Sequence, residues 1–556
     1  MSSREPRGRE STLGWNGVVV TVIISMLPWF LYLGPPIAWH LLGRFVGFLL
    51  RKKTEGRRSV LVSAMDEEND KFASENVESK SSSGDEWEKV SGGAEHASTN
   101  KLDKLKEKTK DWDGIIGFFH PFCNAGGGGE RVLWAAIRAT QLRWPKAKCV
   151  VYTGDHEVTK ADIIARVKSR FNIELHPPTV QFLYLSKRHW VLSATWPHFT
   201  LAGQSFGSLV LGLDAFSLLV PDIFIDTMGF AFVLGLCKFL FPHVPTAAYV
   251  HYPTISTDML ESLDPDSPLG SRGVNGGQGS GLRGLAKKLY WHLFARVYCW
   301  FGASVDVVMT NSTWTQAHVK SLWGPYRKEK DARNPTTAVF PPVAVEELEA
   351  AVDVSEESEK SVRENIILYI AQFRPEKDHR LIVQSFHEFL KLHSKPSETS
   401  RLVLVGSVRD DSDAKRVYEL RLMCNELGIK DRVEFHLDAS WPEILQWLRR
   451  ASIGVNGMWN EHFGIGVVEY QAAGLISVVH DSGGPKLDIV VPIDGLATGF
   501  HASTSREFAE SYDRVFMIPD KVPTRLRARK SAKRFTEAEF AKKWIDQTER
   551  LVAMTK

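Results

Sequence analysis

Glu461 and Glu469 stand eight residues apart in Glu461-His462-Phe463-Gly464-Ile465-Gly466-Val467-Val468-Glu469. At about 1.5 Å per residue, eight helical residues cover roughly 12 Å, close to the reach from a nucleotide's ribose to its attached sugar. Gly464 and Gly466 fall where a loop turns into the helix VVEYQAAG. The helix N-terminus between the two glutamates could hold a diphosphate. Alone, two such glutamates would be a cap and an exposed helix residue. The Gly-x-Gly between them and the strand before them favour a ligand site.

Four further groups could serve the same chemistry. His120-Pro121-Phe122-Cys123-Asn124-Ala125 leads into Gly126, Gly127, Gly128 and Gly129, then Glu130-Arg131 and a helix. Glycines there let backbone amides approach an anion, although the pattern is neither GxGxxG nor a P-loop. Gln372-Phe373-Arg374-Pro375-Glu376-Lys377 follows a strand and offers Arg374 and Lys377 to neutralise a departing diphosphate. His251 is the first residue past the strand AAYV, where a ligand role is expected. Ser482-Gly483-Gly484-Pro485 is one more glycine turn after a strand. No DxD motif stands at a strand end, and Asp222 and Asp226 read as structural, so no metal and no cofactor is expected.

These residues need strands to aim them. From about Asp113, apolar runs (IIGFF, CVVYT, VQFLYL, LVPDIFID, AAYVHYP, VDVVMTNS) alternate with helical stretches. A second series follows Pro341-Pro342: NIILYIAQF, RLVLVGS, RVEFHL, ASIGVNG, LISVVHD. Alternation of this kind predicts an α/β fold, with two Rossmann-like doubly wound domains facing a cleft. The first spans 113–345 and would sit on the acceptor side. The second spans 346–556 and would bind the nucleotide-sugar, its last helix able to pack back on the first domain. The polar stretch 345–364 reads as their linker.

Residues 1–63 read as a membrane anchor and its flanks. The run near 14–34 has no charged residue and is long enough for a transmembrane helix. Residues 37–50 either extend it or lie at the interface. Arg44, Arg51, Lys52, Lys53, Arg57 and Arg58 outnumber Arg4, Arg7 and Arg9, which puts the large domains in the cytosol. Residues 64–112 are polar and charged and read as a flexible tether. The helix GLRGLAKKLYWHLFARVYCWFG mixes cations with aromatics, as membrane-surface helices do, whereas DTMGFAFVLGLCKFLF is short and reads as core.

Composition agrees. The 43% hydrophobic and 24% charged content fits a folded protein, and a net charge of +3 gives no reason to expect nucleic acid. The five cysteines have no CxxC spacing, which excludes common zinc and redox motifs and suggests buried thiols in a reducing compartment. Asn311-Ser312-Thr313 matches a glycosylation sequon, a triplet common by chance and inert on a cytosolic face.

The blocks HPFCNAGGGGERVLWAA, VYTGD, PHFTLAGQS, VHYPTISTDML, QFRPEK, MWNEHFGIGVVE and SGGPKLDIVVP resemble the retaining GT-B glycosyltransferases of family 4. Within these they are similar to the mannosyltransferases of lipid-linked oligosaccharide synthesis for protein N-glycosylation. The resemblance covers about 113–550. It implies an α-1,2-mannosyltransferase of the endoplasmic reticulum membrane, acting on its cytosolic face. The donor would be GDP-mannose, and the acceptors dolichol-diphosphate-linked Man3GlcNAc2 and then Man4GlcNAc2. Other mannosyltransferases of the pathway would be partners.

By the same resemblance, Glu461 and His251 serve the donor mannose and Glu469 holds the ribose. Gly464 to Val467 face the diphosphate with Gly126 to Gly129 opposite, and Arg374 and Lys377 balance the leaving GDP. Many family members carry Arg where this chain has Gln372, which leaves Arg374 less secure than Lys377. A related transferase with another acceptor is the nearest alternative. An inert membrane-tethered scaffold would have no need of the glutamate pair and the glycine loops.

Overall fold

The computed structural model describes residues 36–80, 111–270 and 275–555. The expected span near 14–34 lies outside them. Two parallel sheets dominate. The first contains β1 (Ile115–Phe119), β2 (Lys148–Thr153), β3 (Val180–Tyr184), β4 (Ile223–Asp226), β5 (Thr246–Val250), β6 (Val307–Thr310) and β7 (Thr337–Ala338), in the spatial order β3-β2-β1-β4-β5-β6-β7. The second contains β8 (Glu364–Ile370), β9 (Arg401–Gly406), β10 (Val433–Leu437), β11 (Ala451–Asn456), β12 (Ile476–His480) and β13 (Gly499–Ala502), in the order β10-β9-β8-β11-β12-β13. Each sheet has helices on both faces, so a strand such as β1 is buried along its whole length. That burial is why the central strands read as unbroken apolar runs.

Strand order reverses between β1 and β4 in the first sheet and between β8 and β11 in the second. At such switch points the loops leaving neighbouring strands diverge to opposite faces and open a crevice at the carboxyl ends. The chain segments singled out above leave β1, β5, β8, β11 and β12 at those ends.

Helix α1 (Pro36–Lys80) lies on the first domain. Gly43 and Gly47 press on Phe239 and Leu240 so closely that a Cβ would come within 2.7 Å and 2.0 Å of their carbonyl oxygens. Farther along, Arg58 pairs with Asp222 at 2.6 Å, Asp66 with Lys148 at 2.9 Å and Glu68 with Lys160 at 2.9 Å. The stretch expected as a tether is therefore helical as far as Lys80, held by these ion pairs together with buried Met65 and the packing of Phe72 on His176. On its open side α1 shows Leu41, Leu42, Phe45, Phe48 and Leu49, followed at once by exposed Arg51, Lys52 and Lys53.

After β1 comes α2 (Gly128–Arg143). Helix α3 (Thr200–Leu218) is long and apolar enough to cross a bilayer, but Leu211, Ala215 and Phe216 are fully buried in the first domain's core. The amphipathic helix expected from the sequence is α4 (Gly281–Ala303), with Leu282, Leu285, Leu289, Leu293 and Trp300 exposed along it. The polar stretch 345–364 is folded onto the second domain. Val345, Leu348 and Val352 are buried at 0%, 1% and 1% exposure on one face of a short helix and its exit.

The second domain contributes α5 (Ile465–Ala472), and the chain then returns to the first domain as α6 (Glu537–Met554). Phe540, Trp544, Leu551 and Val552 complete a core cluster of the first domain, and Trp544 donates to Thr140 Oγ1 at 3.1 Å. The two crossings between domains run side by side, joined by a parallel bridge between Val343 and Thr536.

Candidate active site

The switch point of the second sheet brings together two residues 84 positions apart. Lys377 leaves β8, Glu461 leaves β11, and Lys377 Nζ meets Glu461 Oε2 at 2.5 Å. Burial pushes the Glu461 carboxyl up, but the charge and hydrogen bond of Lys377 outweigh it and hold the group below its ordinary range. The pair is well covered, with 22% and 13% of the two side chains exposed, so little solvent screening weakens it.

The turn Ser482–Pro485 braces this carboxylate from behind. Gly484 N–H donates to the Glu461 carbonyl at 2.7 Å, and Ser482 Oγ accepts from Asn460 N–H at 2.8 Å. Gly483 has φ of 67°, and a Cβ there would lie 2.3 Å from the Glu461 carbonyl oxygen. Gly483 is thus required by close approach to the Glu461 backbone, and Gly484, where a Cβ would lie 2.6 Å from Phe463 Cα, by close approach to the two residues after Glu461.

Gly464 has φ of 105° and turns the chain into α5. Ile465 and Gly466 are the first two residues of that helix, whose amides have no helical acceptor. Val467 differs from expectation: its N–H already donates to the Gly464 carbonyl at 2.9 Å and its side chain is buried. It supports the helix start and has no amide left for an anion. One turn on, burial raises the Glu469 carboxyl to about 7 against the pull of Arg131.

The glycine loop of the first domain faces this helix. A Cβ on Gly128 would lie 2.8 Å from Ile465 Cδ1, so the two anion-suited loops are nearly touching. A Cβ on Gly129 would stand 3.7 Å from His251 Nε2. Gly126, at φ of 79°, packs on Arg170, which donates to its carbonyl at 2.7 Å. Gly127 N–H is held by Glu130 Oε2 at 2.6 Å, fixing the start of α2. Glycine at 126 is set by conformation, whereas at 128 it is set by the opposing domain.

His251 is pushed down to about 4 by burial, so it is neutral at physiological pH. Its ring hydrogen-bonds the Thr227 backbone, which leaves Nε2 as a buried, unpartnered acceptor. His120 is a second imidazole, which nothing local in the sequence separates from the loop around it. Its Nδ1 lies 2.7 Å from Thr227 Oγ1, across the switch point between β1 and β4, and burial pushes it to about 3. Only a strand order could have predicted that His120 and Thr227 meet.

Arg374 is not brought to Glu461. It pairs with Glu376 at 2.9 Å, and both side chains are about 40% exposed. Asp226 accepts the amides of Met228, Gly229 and Phe230, and Asp222 accepts the Ile115 amide, so both organise backbone. Among the described residues no group of three or more His, Cys, Asp or Glu is arranged to hold a metal ion. All five cysteines are buried and unpaired.

Two families match the chain: "ALG11 mannosyltransferase N-terminus" over residues 113–323 and "Glycosyl transferases group 1" over 353–535. A Neurospora crassa protein named GDP-Man:Man(3)GlcNAc(2)-PP-Dol alpha-1,2-mannosyltransferase is 65% identical over 97% of this chain and 98% of its own length. A Homo sapiens protein of the same name is 42% identical over 79% of this chain and 87% of its own. Solved structures share the fold at low identity. A Candida albicans trehalose-6-phosphate phosphatase N-terminal domain matches with TM-score 0.56 at 13% identity, over 80% of this chain and 97% of its own. Sucrose-phosphate synthase from Thermosynechococcus elongatus matches with TM-score 0.53 at 14% identity, over 79% and 99%.

Proposed function

Since the chain belongs to the family of GDP-Man:Man(3)GlcNAc(2)-PP-Dol α-1,2-mannosyltransferases, we propose that it transfers mannose from GDP-mannose to dolichol-diphosphate-linked Man3GlcNAc2, and then to Man4GlcNAc2, with retention of configuration. The observation that carries the site assignment is the buried Lys377–Glu461 pair at the switch point, opposite the glycine loop.

GDP-mannose lies in the cleft with its ribose hydroxyls on Glu469. Its diphosphate sits between the amides of Ile465 and Gly466 and the loop Gly126–Gly129. His251 Nε2, a neutral acceptor, takes a hydroxyl of the mannose. As the bond from the anomeric carbon to the diphosphate oxygen breaks, positive charge grows on the sugar. The ionised Glu461 stabilises it, while Lys377 offsets the negative charge gathering on GDP. The acceptor hydroxyl attacks from the face that the diphosphate leaves, and its proton passes to the departing diphosphate oxygen. Attack on that face keeps the α configuration.

The acceptor is a lipid, so the first domain should rest on the bilayer. The apolar open side of α1, bounded by Arg51, Lys52 and Lys53, and the leucine stripe of α4 supply a fitting surface. With these at the cytosolic face of the endoplasmic reticulum, a single-pass anchor completes the placement.

Mass analysis of product from GDP-mannose and a synthetic lipid-linked trimannosyl acceptor should show addition of one and then two hexoses. Glu461→Ala should fold, with lowered stability, and form neither product. Full activity in that variant would reject the site.

A further inference from the structure

Asn460 and His462, the two neighbours of Glu461, both reach across the cleft to the first domain. Asn460 Nδ2 donates to Asp258 Oδ2 at 2.6 Å. His462 stacks on Tyr252 with ring centroids 4.0 Å apart and planes 23° from parallel. Trp314 continues the stack, 5.4 Å from His462 and inclined 26° to it. Glu461, between them, turns back to Lys377 on its own domain.

The receiving surface is itself braced. Thr257 Oγ1 lies 2.5 Å from His318 Nδ1, and His318 Nε2 lies 3.8 Å from Asp258. The Trp314 ring meets His318 edge-on at 4.1 Å. A third crossing contact lies at the start of the next helix, where Asp488 of the second domain accepts from Thr313 N–H and Oγ1 at 2.9 Å and 2.7 Å. Asn460 adopts φ of 52°, a left-handed conformation that Asn and Asp tolerate better than other side chains. The residue type therefore meets both the turn and the crossing hydrogen bond.

We infer that domain closure sets the catalytic carboxylate: Asp258, Tyr252 and Trp314 are positioning residues that clamp the Glu461 loop through Asn460 and His462. When the domains part, the loop loses both anchors and keeps only its contacts within the second domain, so Glu461 is in place chiefly when the cleft is shut. This rests on Glu461 acting at the donor sugar. Because the clamp lies outside the nucleotide contacts, its loss should lower turnover while leaving GDP affinity alone.

The test uses the full chain in its membrane or detergent form, with transfer kinetics, GDP calorimetry and thermal melting on each variant. Asp258→Ala should lower kcat about tenfold, the range expected for losing a hydrogen bond to a charged group, with GDP affinity and melting unchanged. The exchange Asp258→Asn with Asn460→Asp rebuilds the hydrogen bond with its donor and acceptor reversed and should recover most of that loss. Tyr252→Leu, which removes the stacking ring, should act on kcat in the same way and decides the matter if Asp258→Ala does not fold. Wild-type kcat in a folded Asp258→Ala or Tyr252→Leu chain, or failure of the folded exchange variant to recover, would overturn the inference. Absence of transfer in the unaltered chain would instead reject the function proposed above.

Discussion

Replacing Lys377 by Met keeps the length of the side chain and removes its charge, leaving Glu461 without its buried partner. With charge centres about 3 Å apart and an effective dielectric near 20, the attraction lost is on the order of 5 kcal/mol. Losing one member of a buried pair typically costs about 3–5 kcal/mol, since the other charge stays desolvated. Without Lys377, burial is the largest influence left on the Glu461 carboxyl and pushes it above its ordinary range. In the unaltered chain the lowered carboxyl contributes stability above its unfolded pKa, and that stability is lost as pH falls through the folded value. In Lys377→Met the folded value lies above the unfolded one, so stability falls as pH rises from the unfolded value through the folded one. The melting gap between the two proteins should accordingly widen from pH 5 to pH 8. Turnover should drop by about 10² at pH 5, where the raised carboxyl is neutral and no longer stabilises charge on the sugar. Because the raised carboxyl ionises as pH rises, the variant's kcat should climb at least about tenfold between pH 5 and pH 9. A flat kcat over that range, with a melting gap equal at pH 5 and pH 8, would refute the claim that Lys377 keeps Glu461 charged.

Other perturbations test the remaining parts. Because burial holds Glu469 at about 7, a ribose that prefers its carboxylate should expel a proton on binding; calorimetry of GDP near pH 6.5 in buffers of different ionisation enthalpy should show proton release, absent in Glu469→Gln. Gly128→Val would drive a side chain into Ile465 and should lower kcat/KM by about 10², the penalty for misplacing a bound group, and weaken GDP binding with it, as calorimetry should show. With His120 near 3 and both His251 and His462 near 4, the wild-type rate profile should show no imidazole limb between pH 5.5 and 7.5. Trp544→Ala should destabilise the first domain by about 3–5 kcal/mol, as seen by denaturant unfolding.

The parallel strands and the Glu461–Glu469 element were legible because their signals are local: apolar runs with loops after them, and glycines before a helix. What pairs across the fold was not. Lys377 and Arg374 both suit a leaving diphosphate by residue type, and the geometry of the loop after β8 sends Lys377 to Glu461 and Arg374 to Glu376. The amide of Val467 is lost to Gly464 because the helix begins one residue sooner than an open anion nest would need. Val345, Leu348 and Val352 do carry a helical period, yet it is diluted by glutamates that face water. The helix through Lys80 is held in part by ion pairs with distant residues, which composition cannot reveal. The turn Ser482–Pro485 has the composition of an anion loop and serves instead as a rest for the Glu461 backbone.

The return of α6 to the first domain has a consequence for biogenesis. Domains of a growing chain ordinarily fold in the order in which they leave the ribosome. Here the cluster containing Ile116, Phe118, Trp134 and Val151 lacks Phe540, Trp544, Leu551 and Val552 until α6 has been made. The half of the molecule synthesised first therefore waits, with an apolar face uncovered, for the whole of the second half to emerge. Maturation is bound to complete translation, and a chain stopped before α6 presents chaperones and proteases with an unfinished first domain rather than a usable fragment.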